Sequence, residues 1–597
     1  MQTHAGGDAV RIRGRNRILY RLPFFAASSI FIGPRAHVSL SAAPARLVSP
    51  AAAALLKLKT GDDVRGIVNP AAQNALLPES AYWIGVAFRE WLGSSTDLIA
   101  VGSDPRSSSD AIATAFCQGA RAEDVGLATT PAMLESLLQP TTPFVGAVMV
   151  TASHLPREWN GLKLFARPLG RGLNKKEVKQ VMALAVERAT SGSATIPSRA
   201  AVVGAHVAAA GAPARLPSPS FMAPYAEKLR ETVRKAAIGS DNARGGDRGG
   251  MDATLITYPL LGMRICVNPG NGAGGFFATE VLEPLGADIS SSIHLAPDGL
   301  FPAHLPNPES AEHVDATCLA VASSGAEVGV MLDTDVDRCG LFDGCRSPPE
   351  PVHKNRLIAL CATEALEAAG HSGVIVTDPV TSAGMGTFIR AHGGEHDRFK
   401  MGYRNVIDRA AQTQPAPALL AIETSGHSAW RDNDFVDDGC YTAARLLGRL
   451  ARERRTRGEP RLGLLDLLGD SLQEPLESIK VKMAVRGGLP AVGAAEAALC
   501  AALRRCADGT HMWAMEAVNH DGLRCAVGHT GWLIIRGSLH EPSVSVQTES
   551  DVAGGTAEIC TRLLEYALAD GECYAAGIDL QPLWAAGPGR RGAGSMR

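Results

Sequence analysis

The 597-residue sequence has no cysteine pair in C-x-x-C spacing, almost no net charge, and no apolar run of the ~18 residues that a membrane span requires. Its twelve cysteines are scattered, which excludes a zinc ribbon or a thioredoxin-type motif and predicts buried thiols in a reducing compartment. The 58 Lys and Arg residues nearly balance the 61 Asp and Glu residues, so a strongly basic nucleic-acid binder is disfavoured. We therefore expect no nucleic-acid and no membrane partner, although a local basic pocket for phosphate stays open.

Acidic residues are also scarce at the N-terminus, where Asp8 is the only one before residue 62. The same stretch carries seven arginines, many alanines and several serines. This composition is typical of an organelle transit peptide, although a disordered cytosolic tail is the alternative. We expect residues 1–58 to form such a leader.

The composition is 46% hydrophobic, as in globular proteins, and the length predicts about four domains of ~150 residues. Low-complexity stretches at 189–219 and 239–251 indicate surface insertions or linkers that flank one helix, Phe221–Ala237, near a domain boundary. The Gly/Arg-rich C-terminus is expected to be frayed. The expected leader, four domains and tail are residues 1–58, 59–218, 219–345, 346–470, 471–584 and 585–597.

Short apolar runs alternate with helical patterns along most of the chain. This alternation predicts α/β layers around mixed or parallel sheets, in which ligands bind beyond the carboxyl ends of the strands. Predicted helices include Gly275–Leu285 and Arg356–Ala369. The predicted strands are Leu98–Gly102, Val145–Val150, Arg264–Val267, Val328–Leu332, Val374–Thr377, Leu419–Ile422 and Trp532–Ile535.

Two of these strands are followed by loops with reactive side chains. The loop Thr151–Pro156 carries a serine beside a histidine and is a candidate nucleophile site, although an ordinary turn explains it as well. The other loop carries Asp333, Asp335 and Asp337, which cannot all be buried without a cation. Oxygen ligands favour Mg²⁺ or Ca²⁺, and an EF-hand is excluded because Arg338 occupies its glycine position. A solvated acidic turn is the alternative.

Two further loops contain groups suited to sugars and phosphates. Glu423 and Ser425 follow one predicted strand and can hydrogen-bond neighbouring sugar hydroxyls, although a capping turn is equally compatible. Arg536 and Ser538 follow another strand, and their donors suit a phosphate group, with an ordinary β-turn as the alternative.

The segment Gly270–Gly275 formally matches the glycine-rich pattern of dinucleotide-binding proteins, with Asp288 near the expected acidic position. The pattern is short, and an acid within reach is common by chance. We therefore favour a tight strand–helix turn over nucleotide binding.

Taken together and in order, these loops resemble those of the α-D-phosphohexomutase superfamily, which includes phosphoglucomutases and phosphomannomutases. The resemblance runs from about residue 60 to about residue 549, nearly the whole chain after the leader. The matching amino-terminal, phosphoserine, metal, sugar and phosphate loops are Lys59–Gly66, Thr151–Lys163, Asp333–Arg338, Glu423–His427 and Arg536–Pro542.

The resemblance implies four domains around a central cleft, three of them mixed α/β and a smaller α+β domain at the C-terminus. It also implies a phosphorylated serine, Mg²⁺, small sugar phosphates as ligands, and a hexose 1,6-bisphosphate as activator and intermediate. The implied catalytic residues are Arg65, Ser153, His154 and Lys163. The implied metal ligands are Ser153, Asp333, Asp335 and Asp337. The implied substrate contacts are Arg338, Gly402, Glu423, Ser425, His427, Arg536, Ser538 and His540.

The expected function is therefore interconversion of hexose 1-phosphate and hexose 6-phosphate, with glucose, mannose or both. Such carbohydrate chemistry favours the chloroplast stroma as the destination of the leader, with the cytoplasm as the alternative. Candidates for the proton transfer that the reaction needs are His154, Lys163 and His427.

The phosphate loop departs from the family pattern, since Gly537, Leu539 and His540 replace Pro, Gly and Thr. The lost threonine hydroxyl removes a phosphate donor that His540 is placed to replace. This departure keeps open a second hypothesis, a sugar-phosphate-binding regulatory relative with little turnover. A metal-dependent phosphatase is a third hypothesis, which the clustered sugar and phosphate loops disfavour.

Overall fold

The computed structural model describes residues 50–93, 96–191, 218–239, 253–352, 354–509, 512–528, 531–538, 541–569 and 571–587. The expected leader up to residue 49, most of both low-complexity stretches, the tail from residue 588, and Leu539 and His540 lie outside these residues. Within the described ranges, no helix combines the length and the apolar character needed to cross a bilayer.

The first sheet carries at its centre the loop Thr151–Pro156, which is called the serine loop below. Its strands are β1 Lys59–Thr60, β2 Val64–Ile67, β3 Leu98–Ser103, β4 Glu123–Leu127, β5 Phe144–Val150, β6 Trp159–Ala166 and β7 Arg171–Gly172. They pair in the order β1-β2-β6-β5-β3-β4, with β7 beside β6, and β3 is parallel to β4 and β5. The sheet is accompanied by the helices Pro50–Leu55, Pro78–Leu92, Ser109–Ala120, Thr130–Leu138 and Lys175–Ser191. Because β5 is an almost unbroken apolar run, it is buried on both faces and fixes the loop that follows it.

The second sheet presents the loop Asp333–Arg338, which is called the acidic loop below. Its strands are β8 Ile265–Asn268, β9 Val328–Leu332, β10 Cys339–Asp343 and β11 Glu350–Val352. They pair in the order β11-β10-β9-β8, and the helix Ala311–Ser324 precedes β9. The hairpin β9–β10 pairs Leu332 with Cys339, so the connection between its strands is the acidic loop itself.

The third sheet presents the sugar loop in the same way. Its strands are β12 Gly373–Thr377, β13 Gly394–Arg398, β14 Leu420–Ile422 and β15 Ser428–Trp430. They pair in the order β13-β12-β14-β15, and β14 and β15 form an antiparallel hairpin. The accompanying helices are Asn355–Ala368, Ala383–Ala391, Tyr403–Ala411 and Gly439–Arg457.

The fourth sheet is fully antiparallel and has its own core. Its strands are β16 Glu477–Ala484, β17 Trp513–Met515, β18 Leu523–Val527, β19 Gly531–Gly537 and β20 Ser543–Ser550, in the order β16-β20-β19-β18-β17. Its helices are Val492–Asp508, Gly555–Ala569, Glu572–Ala575 and Gln581–Ala586. Buried side chains of the first three sheets, in contrast, form one continuous cluster that includes Met149, Leu332 and Ile422. The predicted α/β architecture with an α+β C-terminal part is confirmed, and each sheet with its helices is called a domain below, numbered first to fourth in chain order.

The helix between the low-complexity stretches spans Pro219–Ile238 and is a central packing element. Its side chains Met222, Leu229 and Val233 lie in the core shared by the first three sheets. The Tyr225 hydroxyl donates to Asp438 at 2.8 Å, at the start of the helix Gly439–Arg457. This spacing of buried residues places one whole face of the helix inward.

Two sequence expectations differ from the structure. The expected leader extends to residue 58, but the helix Pro50–Leu55 buries Ala52 and Leu55 in the core of the first domain. That core therefore begins before residue 58. The predicted helix Gly275–Leu285 is a π-helical turn, Phe277–Leu282, followed by a 3₁₀ turn. Pro284 explains the change, since it has no N–H to continue an α-helix.

Candidate active site

The serine loop leaves the end of β5 in a strained conformation. Ser153 is 3% exposed and has φ of 51°, in the left-handed region that non-glycine residues seldom adopt. Its backbone N–H donates to Oγ1 of Thr151 at 2.8 Å. The guanidinium of Arg106 donates to several carbonyl oxygens of the loop, those of Ser153, Leu155, Pro156 and Trp159. The surrounding structure therefore holds the serine in one orientation.

The acidic loop buries three carboxylates completely. Asp333, Asp335 and Asp337 are each 0% exposed, and each offers an oxygen within 4.8 Å of the others. Asp333 Oδ1 accepts from the backbone N–H of Val336 at 3.0 Å, which closes the turn. Thr130, from the first domain, donates to Asp335 Oδ2 at 2.6 Å. The loop is thus fixed both by its own turn and by the neighbouring domain.

The structure brings the serine and the acidic loop into contact. Ser153 Oγ lies 3.1 Å from Asp333 Oδ2, although the residues are 180 positions apart in sequence. Arg338 joins both, with Nε 3.0 Å from Asp333 Oδ2 and Nη2 3.4 Å from Ser153 Oγ. A hydroxyl, a carboxylate and a guanidinium therefore meet at the junction of two domains.

Two further cations from the first domain border this junction. Lys163, on β6, donates from Nζ to Asp335 at 2.7 Å and also to Asp337. Burial disfavours its charge, but these two carboxylates outweigh burial and raise the pKa of Lys163 well above 10.5. Arg65, on β2, donates to the carbonyl oxygen of Ala152 at 2.9 Å and pairs with Asp63 at 2.8 Å.

The carboxylates have more acceptor capacity than the described residues satisfy. Oδ1 of Asp335 and Oδ1 of Asp337 are buried without a hydrogen-bond partner among these residues. Burial and the charge of Asp337 raise the pKa of Asp333 to about 8. Burial also opposes ionisation of Asp337, but Lys163 holds its pKa well below the usual range. Buried, unpartnered carboxylate oxygens are the ligands that Mg²⁺ prefers, so the donor set fits this ion.

The sugar loop lies beside the acidic loop, since Arg338 and His427 form an isolated antiparallel β-bridge. Glu423 Oε1 accepts from the backbone N–H of Gly402 at 2.7 Å, and its Oε2 accepts from Ser425 Oγ at 3.1 Å. Burial and the nearby Asp378 raise the pKa of Glu423 to about 7.

The two histidines of the site differ in charge. His427 Nδ1 lies 2.7 Å from Asp437 Oδ2. Burial alone would lower its pKa, but Asp437 and Asp337 raise it to about 9, so the ring is protonated at neutral pH. His154 Nδ1 lies 3.3 Å from Ser153 Oγ. Loss of solvation beside two arginines lowers the pKa of His154 to about 2, so that ring is neutral.

The described residues of the phosphate loop are bound within the fourth domain. Arg536 lies within β19, not after it as the predicted strand end implied, because the ladder to β20 continues to Gly537. Its Nε donates to Asp521 Oδ2 at 2.9 Å. Ser538 Oγ accepts from the backbone N–H of Glu541 at 3.1 Å, and His540 lies outside the described residues.

Several residues of the site were not singled out from the sequence. The sequence did not reveal that Arg106 contacts the serine loop or that Thr130 contacts Asp335. Tyr403, whose ring stacks on His427 at 5.0 Å between centroids, follows Gly402 directly. Asp437 and Asp521 follow no predicted strand, so neither had a sequence signal.

The glycine-rich segment Gly270–Gly275 forms a tight turn. Four consecutive backbone N–H groups, those of residues 270–273, donate to acceptors within the second domain. Dinucleotide binding needs such N–H groups for the pyrophosphate, so the structure favours the turn. A Cβ at Gly272 would lie 2.9 Å from backbone atoms of Thr334, which shows that the turn supports the acidic loop.

Three protein-family models match the chain in order. The α/β/α domains I, II and III of the phosphoglucomutase/phosphomannomutase family match residues 57–190, 254–346 and 353–461. A phosphomannomutase/phosphoglucomutase of Pseudomonas syringae pv. tomato is 27% identical over 400 residues, covering 66% of this chain and 73% of that protein. A phosphoglucosamine mutase of Frankia casuarinae is 28% identical over 418 residues, covering 68% and 81%.

The fold is similar to that of solved structures as well. A phosphoglucomutase/phosphomannomutase family protein from Burkholderia thailandensis aligns with a TM-score of 0.64 at 23% identity, covering 87% of this chain and 98% of that one. With three domain families matched in order along the chain, this protein belongs to the α-D-phosphohexomutase superfamily and is an isomerase of the phosphoglucomutase/phosphomannomutase type.

Proposed function

We propose that this protein interconverts hexose 1-phosphate and hexose 6-phosphate, acting on glucose, mannose or both, through a phosphoserine at Ser153 and a bisphosphorylated sugar intermediate. The observation that carries the proposal is the contact of Ser153 Oγ with Asp333 and Arg338 at the junction of two domains. A buried hydroxyl on a strained turn, facing carboxylates and cations, suits a phosphoryl carrier.

The residues that would hold Mg²⁺ are Ser153, Asp333, Asp335 and Asp337. When bound, the ion supplies positive charge that polarises the phosphoryl group. Two of the aspartates carry buried oxygens without partners among the described residues, which supports this assignment. Lys163 already neutralises part of the negative charge of the loop and keeps Asp337 ionised, ready to act as a ligand.

The cations around the serine would stabilise charge that develops during phosphoryl transfer. Arg338 reaches Ser153 Oγ directly, and Arg65 is fixed on the carbonyl oxygen of the neighbouring Ala152. Both guanidiniums are fixed by carboxylates before substrate arrives, Arg338 by Asp333 and Arg65 by Asp63. Electrostatic stabilisation of this kind needs no reorganisation at the moment of reaction.

A proton must leave the sugar hydroxyl as it attacks the phosphoserine. Lys163 is a poor candidate, because two carboxylates hold its proton. His427 is protonated and its Nδ1 is bound to Asp437, so it cannot accept this proton; its Nε2–H would instead donate a hydrogen bond to the sugar. His154, neutral and beside Ser153, is suited to accept a proton once the neighbouring phosphate makes its surroundings more negative.

The remaining loops would hold the sugar while its two ends exchange places. Glu423, Ser425 and the Gly402 backbone form a hydrogen-bonded group suited to hydroxyls between the two phosphate positions. Arg536, Ser538 and His540 would bind the phosphate that is not being transferred. Relatives named for mannose, glucose and glucosamine phosphates support a hexose phosphate without choosing the sugar.

The test is conversion of glucose 1-phosphate, and separately of mannose 1-phosphate, with Mg²⁺ and a catalytic amount of the matching 1,6-bisphosphate. We expect isomer product, and the mass of one phosphate on the intact protein. Ser153→Ala should abolish both, while Ser323→Ala, on an exposed helix position, should retain both. Binding of hexose phosphate without any product would contradict the proposal and favour the regulatory alternative.

The same intact-mass measurement tests the leader, which we propose directs the protein to an organelle. Protein isolated from its native cells should lack the N-terminal segment. A full-length mass would contradict this proposal.

A further inference from the structure

One carboxylate of the fourth domain accepts hydrogen bonds from donors in two domains. Asp521 lies in the turn before β18 and accepts, at Oδ2, from Nε of Arg536 at 2.9 Å and from Nη2 at 2.8 Å. The same oxygen accepts from the backbone N–H of Met401, in the third domain, at 3.2 Å. Three N–H groups therefore converge on a single oxygen where the third and fourth domains meet.

We propose that Asp521 is a positioning residue that orients Arg536 for the phosphate and links it to the sugar loop. The proposal rests on the proposed function, because it takes Arg536 as the phosphate ligand. A guanidinium can bind two oxyanions along different edges. Asp521 occupies the Nε–Nη2 edge, and a phosphate held along the Nη1–Nη2 edge would then meet a guanidinium that is already turned toward it.

The link to the sugar loop runs through two consecutive backbone amides. The N–H of Met401 donates to Asp521, and the N–H of Gly402 donates to Glu423 at 2.7 Å. Glu423 in turn accepts from Ser425. The group that would hold the phosphate and the group that would hold the hydroxyls are therefore attached to neighbouring peptide units.

The turn that carries Asp521 is built for this close approach. Gly522 has φ of 70°, and a Cβ there would lie 2.0 Å from the carbonyl oxygen of Ile535 and 2.7 Å from Cγ of Arg536. Only glycine allows the turn to lie this close to Arg536.

Contacts between the third and fourth domains fix the same turn from outside. Arg524 donates to the carbonyl oxygen of Pro379 at 2.7 Å, and Glu516 pairs with Arg398 at 3.0 Å. The position of Asp521 relative to Met401 is thus part of a wider interface.

Charge and position make opposite predictions for this residue. A carboxylate near a phosphate repels it, so if Asp521 acted only as a charge, removing that charge would strengthen substrate binding. If Asp521 acts by position, the acceptor oxygen matters more than the charge. Asn keeps an acceptor oxygen and removes the charge, whereas Ala removes both.

The experiment measures KM and kcat for glucose 1-phosphate in Asp521→Ala, Asp521→Asn, Arg536→Ala and the double variant Asp521→Ala/Arg536→Ala. We expect Asp521→Ala to raise KM about tenfold with kcat changed less than about threefold, and Asp521→Asn to stay within about threefold of wild type in KM. Because Asp521 acts through Arg536, the double variant should be no worse than Arg536→Ala alone. Glu565→Ala, which removes an exposed ion pair with Arg562 in the same domain, is the matched control.

Lower KM in both Asp521 variants would overturn the positioning role in favour of simple repulsion. Additive losses in the double variant would assign Asp521 to the general structure of the domain. If wild type converts neither hexose 1-phosphate, the proposed function fails, and calorimetric titration of the same variants with glucose 1-phosphate still tests Asp521. If Asp521→Ala does not fold, Asp521→Leu, which keeps the approximate shape of Asp but removes the acceptor oxygens, paired with Arg536→Ala provides the same cycle.

Discussion

Two charged junctions between domains border the site, and they differ in exposure. Where the first and second domains meet, Lys163 is 4% exposed and its partners Asp335 and Asp337 are 0% exposed. Where the third and fourth domains meet, Arg536 and Asp521 keep 16% and 28% of their side-chain surface exposed. Charges in the first junction interact at low effective dielectric, whereas solvent screens the second. The junction of the first and second domains is therefore a buried structural support, whereas the pair of Arg536 and Asp521 contributes less to the fold because solvent screens it.

The largest expected effect on stability comes from removing the cation of the buried junction between the first and second domains. Lys163→Met leaves two buried carboxylates without their cation, so the free energy of unfolding should fall by about 3–5 kcal/mol. Urea denaturation in the presence of EDTA measures it. Lys482→Met is the matched control, because Lys482 and its partner Glu541 each keep 56% exposure, and it should cost less than about 1 kcal/mol. Equal losses in the two variants would mean that burial does not determine how much an ion pair contributes to the free energy of unfolding.

The second prediction concerns Mg²⁺. Asp335→Asn should lose at least about 100-fold in activity, because it removes a charged ligand from the buried set. Wild type should be stabilised by about 1–3 kcal/mol at saturating Mg²⁺ in thermal unfolding, and the variant by much less. Asp315→Asn, at an exposed helix position of the same domain, should respond like wild type. An unchanged Mg²⁺ response in Asp335→Asn would contradict the ligand assignment.

The third prediction concerns how the contribution of His427 to stability depends on pH. Asp437 and Asp337 outweigh burial and raise the pKa of His427 from 6.5 to about 9. Because the folded pKa lies above the unfolded value, the imidazolium stabilises the fold fully below about pH 6.5, and this contribution is lost as the pH rises through about 9. The unfolding free-energy difference between wild type and His427→Gln should therefore shrink over that range in metal-free protein.

Asp437→Asn provides the internal check on that profile. It removes the largest charge that raises the pKa of His427, so the loss of stability should move to lower pH. If the unfolding free energies of wild type and His427→Gln change in parallel with pH, the assigned ion pair between His427 and Asp437 is wrong.

The smallest expected effect on stability lies at the exposed junction. Arg536→Ala should change the free energy of unfolding by less than about 1 kcal/mol, because the pair with Asp521 is partly solvated. Denaturation under the conditions used for Lys163→Met measures the contrast directly. A loss as large as that of Lys163→Met would show that both junctions are structural supports.

The fold was largely predictable because its strands carry strong apolar runs. The strand Val328–Leu332 has the predicted bounds, and the other predicted strands end within two residues of those observed. Apolar strands bound the serine, acidic and sugar loops, so these loops stood out in the sequence. The π-helical turn was missed because helical periodicity does not reveal how Pro284 alters the hydrogen bonds.

The supporting residues of the site were less predictable for a physical reason. Asp437 and Asp521 act by contacting side chains or amides from other segments, and sequence spacing carries no record of such contacts. The start of the core of the first domain at Pro50 was hidden because its alanine-rich helix continues the composition of the residues before it. Burial against the helix Lys175–Ser191 distinguishes the two, and that is a tertiary property.

The helix Pro219–Ile238, which lies between two low-complexity stretches, contacts a residue next to the candidate active site. The hydroxyl of Tyr225 in this helix donates a hydrogen bond to Asp438. The residue before Asp438 in the chain, Asp437, is hydrogen-bonded to His427. A substitution on the inward face of this helix would therefore disturb Asp438 and, through the adjacent residue, the ring of His427, although the helix itself carries no residue of the candidate site.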